Sequence, residues 1–127
     1  MAVSEQVGRL RLVVPDGVLS AGCPSRVVLD HVMSRWGVLV LVALVDGTLR
    51  WGELRRTVQG ISEKMLAQTL QTLERDGLVH REALPVIPPH VEYSLTPLGH
   101  GLVERLAPLL EWVAEHAPSI VAGATPR

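Results

Sequence analysis

The side chains able to do chemistry gather on one stretch of the chain. Between Ser62 and Asp76, Lys64, Ala67, Gln68, Gln71, Thr72 and Arg75 recur on one side of a helical repeat, opposite Leu66, Leu70 and Leu73. A glutamine amide carries a donor and an acceptor side by side, the pair that a base edge in a DNA groove answers. A lysine reaches guanine or phosphate, and a threonine hydroxyl does either. Ala67 lets the backbone come close. Lys64, Gln68, Gln71 and Thr72 are therefore the candidate base-reading residues. Arg55, Arg56, Arg75, Arg81 and His90 are candidate phosphate contacts, which would position the chain without naming a sequence. Against this stands the ordinary reading of each charged residue as a solvated side chain.

The other reactive types are sparse. Cys23 precedes Pro24 at an expected helix start, where the dipole and nearby Arg26 favour a thiolate; the rival reading is an inert buried thiol. With no second cysteine in the sequence, oxidation of Cys23 would give an intermolecular disulfide or a thiol adduct. The histidines at 31, 80, 90, 100 and 116 show no metal-ligand spacing beyond His80 and His90 across a hairpin, which lack a third ligand nearby in sequence. No metal and no cofactor are expected. No nucleophile triad or phosphate-binding glycine loop is spaced for catalysis either, so an enzyme is not expected.

The elements that must position these groups follow from periodicity and punctuation. A first helix is expected from about Ser25 to Arg35, behind Pro24. Gly37 should interrupt it, and Val38 to Val45, apolar on every side, reads as a core helix buried all round and stopped by Asp46-Gly47. Thr48 to Trp51 is a short extended piece, Gly52 to Val58 a short helix exposing Arg55 and Arg56, and Gln59-Gly60-Ile61 a turn. Ser62 is the natural cap of the next helix, and Gly77 ends it in a left-handed turn covered by Leu78. Leu78 to Leu84 and Val91 to Leu95 form a β-hairpin around a rigid Pro85-Val-Ile-Pro-Pro89 tip. Thr96 caps a final helix, begun by Pro97 and running to about His116. Trp36, Trp51 and Tyr93 are expected in the core.

The expected fold is mainly α with a small β-hairpin, in the order of a winged helix-turn-helix. Residues 1–22 read as an N-terminal arm, 23–96 as the winged domain, 97–117 as a dimerisation helix and 118–127 as a flexible tail. On the last helix, Leu102, Leu106, Leu109, Leu110, Trp112 and Val113 are the candidate dimer interface. Trp112 would either pack at that seam or line a small apolar ligand cavity.

Taken together, Cys23-Pro24, Arg35-Trp36, Trp51-Gly-Glu-Leu54, Gly60-Ile-Ser-Glu-Lys-Met-Leu66, Glu74-Arg-Asp-Gly-Leu78, Pro88-Pro89 and Val91-Glu-Tyr-Ser-Leu-Thr96 with Gly99 resemble the HxlR-type transcriptional regulators. The resemblance covers about Cys23 to Ala117. It implies a cytoplasmic, homodimeric bacterial regulator of a palindromic operator, with the N-terminal region and the last helix making the dimer and an N-terminal cysteine that in some members senses oxidants or electrophiles. Gln71, His90 and Trp51 depart from the family's usual residues, and the departures concern DNA reading more than the fold.

Composition sets the outer bounds. The 127 residues are 47% hydrophobic, with three Trp, one Tyr and no Phe, so one aliphatic core is expected, and a lone Cys excludes an internal disulfide. No apolar run reaches the ~20 residues that a membrane span needs, and the first residues carry Glu5, Arg9 and Arg11 where a signal peptide would be apolar; a cytoplasmic protein without membrane contact is expected. The net charge of −1 excludes a polybasic coat. From Arg50 to Arg81, however, six basic residues stand against four acidic, while the rest of the chain has six against nine. Double-stranded DNA, a second copy of the chain and a small-molecule or oxidant effector are the expected partners. The rival from another class is a winged-helix protein-interaction module without DNA binding.

Overall fold

The computed structural model describes residues 22–124. The N-terminal arm, apart from Gly22, and residues 125–127 lie outside the described residues. The elements run α1 (Pro24–Val32), α2 (Arg35–Ala43), β1 (Leu49–Arg50), α3 (Trp51–Thr57), α4 (Glu63–Arg75), β2 (Val79–Leu84), β3 (His90–Leu95) and α5 (Pro97–Ala124). The fold is mainly helical with a small sheet, as expected for a winged helix-turn-helix.

The first helical break falls earlier than Gly37. The helix expected to reach Arg35 ends at Val32, because the Ser34 hydroxyl caps a new helix by accepting from the Gly37 amide at 3.0 Å and donating to the His31 carbonyl at 2.8 Å. Gly37 lies inside α2, and a Cβ there would collide with the His31 carbonyl and the Ser34 hydroxyl. Its bareness lets the end of α1 approach; it does not break the helix. Nor is the apolar stretch buried all round: Val40, Leu41 and Leu44 are in the core, whereas Leu39, Val42 and Val45 remain exposed.

Helix α4 behaves as its pattern dictates. Ser62 Oγ accepts from the Met65 amide at 3.1 Å, and Leu66, Leu70 and Leu73 are buried at 0, 2 and 1% exposure. Gly77 turns the chain at φ 78°, and the Leu78 amide returns to the Leu73 carbonyl at 2.9 Å. The leucine stripe shares one core with Leu41 of α2, Leu44 just after it and Leu54 of α3, together with Val79 and Tyr93 from the sheet. Trp36 and Trp51 pack half-buried against the same core.

The sheet holds one strand more than a hairpin. Its order is β1-β3-β2, all antiparallel, with Leu49 opposite Tyr93, Arg50 opposite Glu92, and β2 registered from Val79↔Leu95 to Leu84↔His90. The Thr48 to Trp51 piece thus supplies a two-residue strand, Leu49–Arg50, while Trp51 opens α3. The wing is tied to the body on the side away from β2.

Helix α5 begins where expected: Thr96 Oγ1 accepts from the Gly99 amide at 3.0 Å and donates to the Gly77 carbonyl at 2.6 Å. It does not stop near His116. It runs through Pro108 and Pro118 to Ala124, so residues 118–124, read from sequence as tail, are helical. Each proline removes one backbone bond without ending the helix, and good helix formers such as Ala114, Ala117 and Ala122 surround the second.

A Cβ at Gly99 would strike the Leu78 carbonyl, so this position seats α5 on the turn that follows α4. Gly99→Ala is expected to lower the unfolding free energy by about 2 kcal/mol, as overpacking does. Chemical denaturation checks it, and an unchanged midpoint would contradict the seating.

Candidate nucleic-acid interface

The Ser62 cap fixes where α4 starts and the buried leucines fix its rotation, so the exposed stripe is decided by the core. Lys64, Gln68, Gln71 and Arg75 lie exposed on that stripe. Thr72 does not join it fully. It is half-buried on the flank toward α1, where Thr72 and Gln68 line a hollow of about 190 Å³ with Asp30, His31 and Ser34. The base-reading set therefore divides into three outward residues, Lys64, Gln68 and Gln71, and one lateral residue, Thr72, and the phosphate candidate Arg75 shares the outward stripe.

The arginines differ in what holds them. Arg55 is exposed, yet its Nη1 donates to Glu63 Oε1 at 3.2 Å, an ion pair bridging α3 and the first turn of α4. Such a pair is worth little in water and can be exchanged for a phosphate. Arg56 faces a hollow of about 470 Å³ shared with Arg50, Gly52 and Glu53. Arg81 is exposed on β2 opposite Tyr93, and His90 is half-buried at the start of β3 opposite Leu84.

Arg50 was not singled out from sequence. It precedes α3, where its amide donates to Glu53 Oε1 at 2.9 Å, and its Nε lies 4.0 Å from Glu92 Oε2 across the sheet. Its position just before the Trp51-Gly-Glu53 helix start was the available signal. On the same sheet row Glu82 faces Glu92 directly, which puts two carboxylates on one side of the wing.

A second polar link was also missed. His31 Nδ1 donates to Asp76 Oδ2 at 2.7 Å, joining α1 to the C-terminal end of α4 across 45 positions of sequence. Nothing in local spacing announces such a pair.

Cys23 is the N-terminal residue flanking α1 and is half-buried. The first-turn amides of Arg26, then of Ser25, face its sulfur and hold the thiol below its ordinary pKa, although no full capping bond closes. Among the described residues, no three His, Cys, Asp or Glu side chains converge as a metal site would require.

The candidate dimer residues separate as well. Leu106 is 7% exposed and belongs to the chain's own core, and Leu102 and Leu110 pack half-buried against it. Leu109, Trp112 and Val113 stay exposed, continued by Ile120 and Val121. Trp112 stacks on His116 at 4.4 Å, and His116 Nδ1 donates to the Trp112 carbonyl at 2.9 Å. No helix among the described residues is long and apolar enough to cross a membrane.

Comparison with known proteins places this geometry in company. The model of the HxlR-like helix-turn-helix family matches residues 31–120. The HTH-type transcriptional regulator YtfH of Escherichia coli is 60% identical over 100 residues, 79% of each chain. A solved structure of the transcriptional regulator ytfH from Salmonella typhimurium is 56% identical with a TM-score of 0.77, covering 83% of this chain and 94% of that one. The redox regulator HypR in its oxidised form is 38% identical with a TM-score of 0.68, covering 73% of this chain and 96% of its own.

Two outcomes check the site. A double-mutant cycle on His31→Ala and Asp76→Ala should return a coupling of about 1 kcal/mol, and a value near zero would remove the link from the fold's energetics. Because the Cys23 thiol is held low, the thiolate fraction rises at lower pH than in an unfolded chain. Alkylation by iodoacetamide should therefore show its pH midpoint below that measured in urea; equal midpoints would contradict the role of the amides.

Proposed function

The chain belongs to the HxlR-like helix-turn-helix family of transcriptional regulators, and from that premise we propose that it is a homodimer reading a palindromic operator through α4. The carrying observation is the exposed stripe of Lys64, Gln68, Gln71 and Arg75 on a helix whose opposite side is locked in the core. Gln68 and Gln71 pair with base edges in the major groove, and Lys64 reaches guanine or the adjacent backbone. Thr72, from the flank, meets the strand on the α1 side. Arg75, Arg56, Arg50 and Arg81 take phosphates, His90 approaches the backbone from the wing, and Arg55 joins them by leaving Glu63.

What the single chain leaves uncovered supports the dimer. Leu109, Trp112 and Val113 form an apolar face on α5 that a second copy would bury through a two-fold axis. Two such reading heads address half-sites ~34 Å apart. The low-held Cys23 thiol supports modulation by oxidants or electrophiles, in line with the printed description of HypR as a redox regulator. The reading assigns no catalytic chemistry and no cofactor, and places the protein in the cytoplasm.

Fluorescence anisotropy against the DNA upstream of its own gene, with a random duplex of equal length as reference, tests the proposal. The native chain should prefer the upstream DNA. Replacing Gln68 and Gln71 by Ala should cost about 1–3 kcal/mol of discrimination each, while Arg56→Ala weakens binding to all sequences and reduces the salt slope by about 1. No preference for any upstream duplex at moderate salt would overturn operator reading. It would favour the protein-interaction alternative, to which the paired Glu82 and Glu92 on the wing lend weight.

A further inference from the structure

Glu63 opens α4 with a carboxylate that the fold hardly uses. Its side chain is 70% exposed, and among the described residues its partner is Arg55, whose Nη1 lies 3.2 Å from Oε1. The helix cap does not draw on it, because the Ser62 hydroxyl accepts from the Met65 amide. Arg55 is itself a surface side chain, 44% exposed, so the pair is weak in water and both members can take other partners.

The place of Glu63 on the helix is that of a reading residue. Positions four apart make one ridge on a helix surface, and Glu63, Ala67, Gln71 and Arg75 are such a ridge. Gln71 and Arg75 are exposed on the outward stripe, and Ala67, between Glu63 and Gln71, is too small to hold a partner away. A duplex lying along the ridge at Gln71 meets Glu63 about two turns nearer the helix start. In helix-turn-helix docking it is the first residues of the reading helix that reach base edges.

The chemistry of the group decides which base it fits. An ionised carboxylate only accepts hydrogen bonds. In the major groove guanine and thymine offer it acceptors, adenine offers a donor beside an acceptor, and cytosine offers the N4 amino group. Resting on the reading of an operator through α4, we infer that Glu63 selects cytosine in each half-site by accepting from N4, as Arg55 passes from the carboxylate to a phosphate. The exchange ties base fit to backbone contact. Over cytosine the carboxylate keeps a donor when Arg55 leaves. Over any other base Arg55 either stays and forfeits its phosphate, or leaves an unanswered carboxylate beside the polyanion.

Duplexes with randomised half-sites, selected on the full native chain and sequenced, supply the test. The selected duplexes should carry cytosine at one position of each half-site. In anisotropy titrations a duplex with cytosine there should bind about fivefold more tightly than one with any other base, the low end of what one good base contact discriminates. Glu63→Gln should move the preference at that position to adenine, whose N6 and N7 a glutamine amide answers, and Glu63→Ala should abolish it. All other positions should be selected as before, and circular dichroism reports that both variants fold. An unchanged preference in both variants overturns the inference. So does tighter binding of Glu63→Ala to every duplex alike, for Glu63 is then only a holder of Arg55. A native chain that selects no sequence defeats operator reading and this inference with it, whereas a native selection indifferent to residue 63 defeats this inference alone.

Discussion

The fold turns on the burial of one leucine stripe. Leu66, Leu70 and Leu73 are at most 2% exposed, and each buried leucine is worth about 2 kcal/mol or more relative to exposure. That burial fixes the rotation of α4, since turning the helix by one residue would put a leucine in water and a glutamine in the core. Ser62 fixes the start of the helix, and the Gly77 turn with Leu78 fixes its end. The outward stripe is a consequence of these constraints. The outward residues need no bonds of their own to be held in place.

The same economy governs charge. A chain with net charge −1 cannot rely on bulk attraction to a polyanion, and six of its twelve basic residues lie between Arg50 and Arg81, around α3, α4 and the wing. Two of them, Arg50 and Arg55, stand near carboxylates at 4.0 and 3.2 Å. Glu63, Glu82 and Glu92 therefore oppose indiscriminate binding, and a favourable encounter needs a backbone geometry that satisfies several arginines together. In the proposed dimer, doubled contacts would supply affinity that one head lacks.

Much of this was legible in the sequence where the signal is local. The α4 pattern, its cap, its glycine stop, the Thr96-Pro97 start and the two longer strands are all written within a few residues, and they appear as read. What was misread depends on contacts between distant segments or on competition between local signals. Gly37 looked like a breaker because its close approach to His31 is tertiary, and Ser34 took the break instead. The β1 pairing joins Leu49 to Tyr93, the His31–Asp76 link spans α1 and α4, and Leu106 entered the core because α5 lies over β3. Thr72 lies at the edge of the polar stripe, where only the position of α1 decides how far it is covered.

Helix α4 as a paired reading head is the central claim, and hydroxyl-radical footprinting on the DNA upstream of the gene tests it most directly. Two protected patches about one helical turn, ~34 Å, apart and related by a two-fold axis are the expected result. A single patch, protection spread evenly along the duplex, or none at protein concentrations that saturate the site would contradict it.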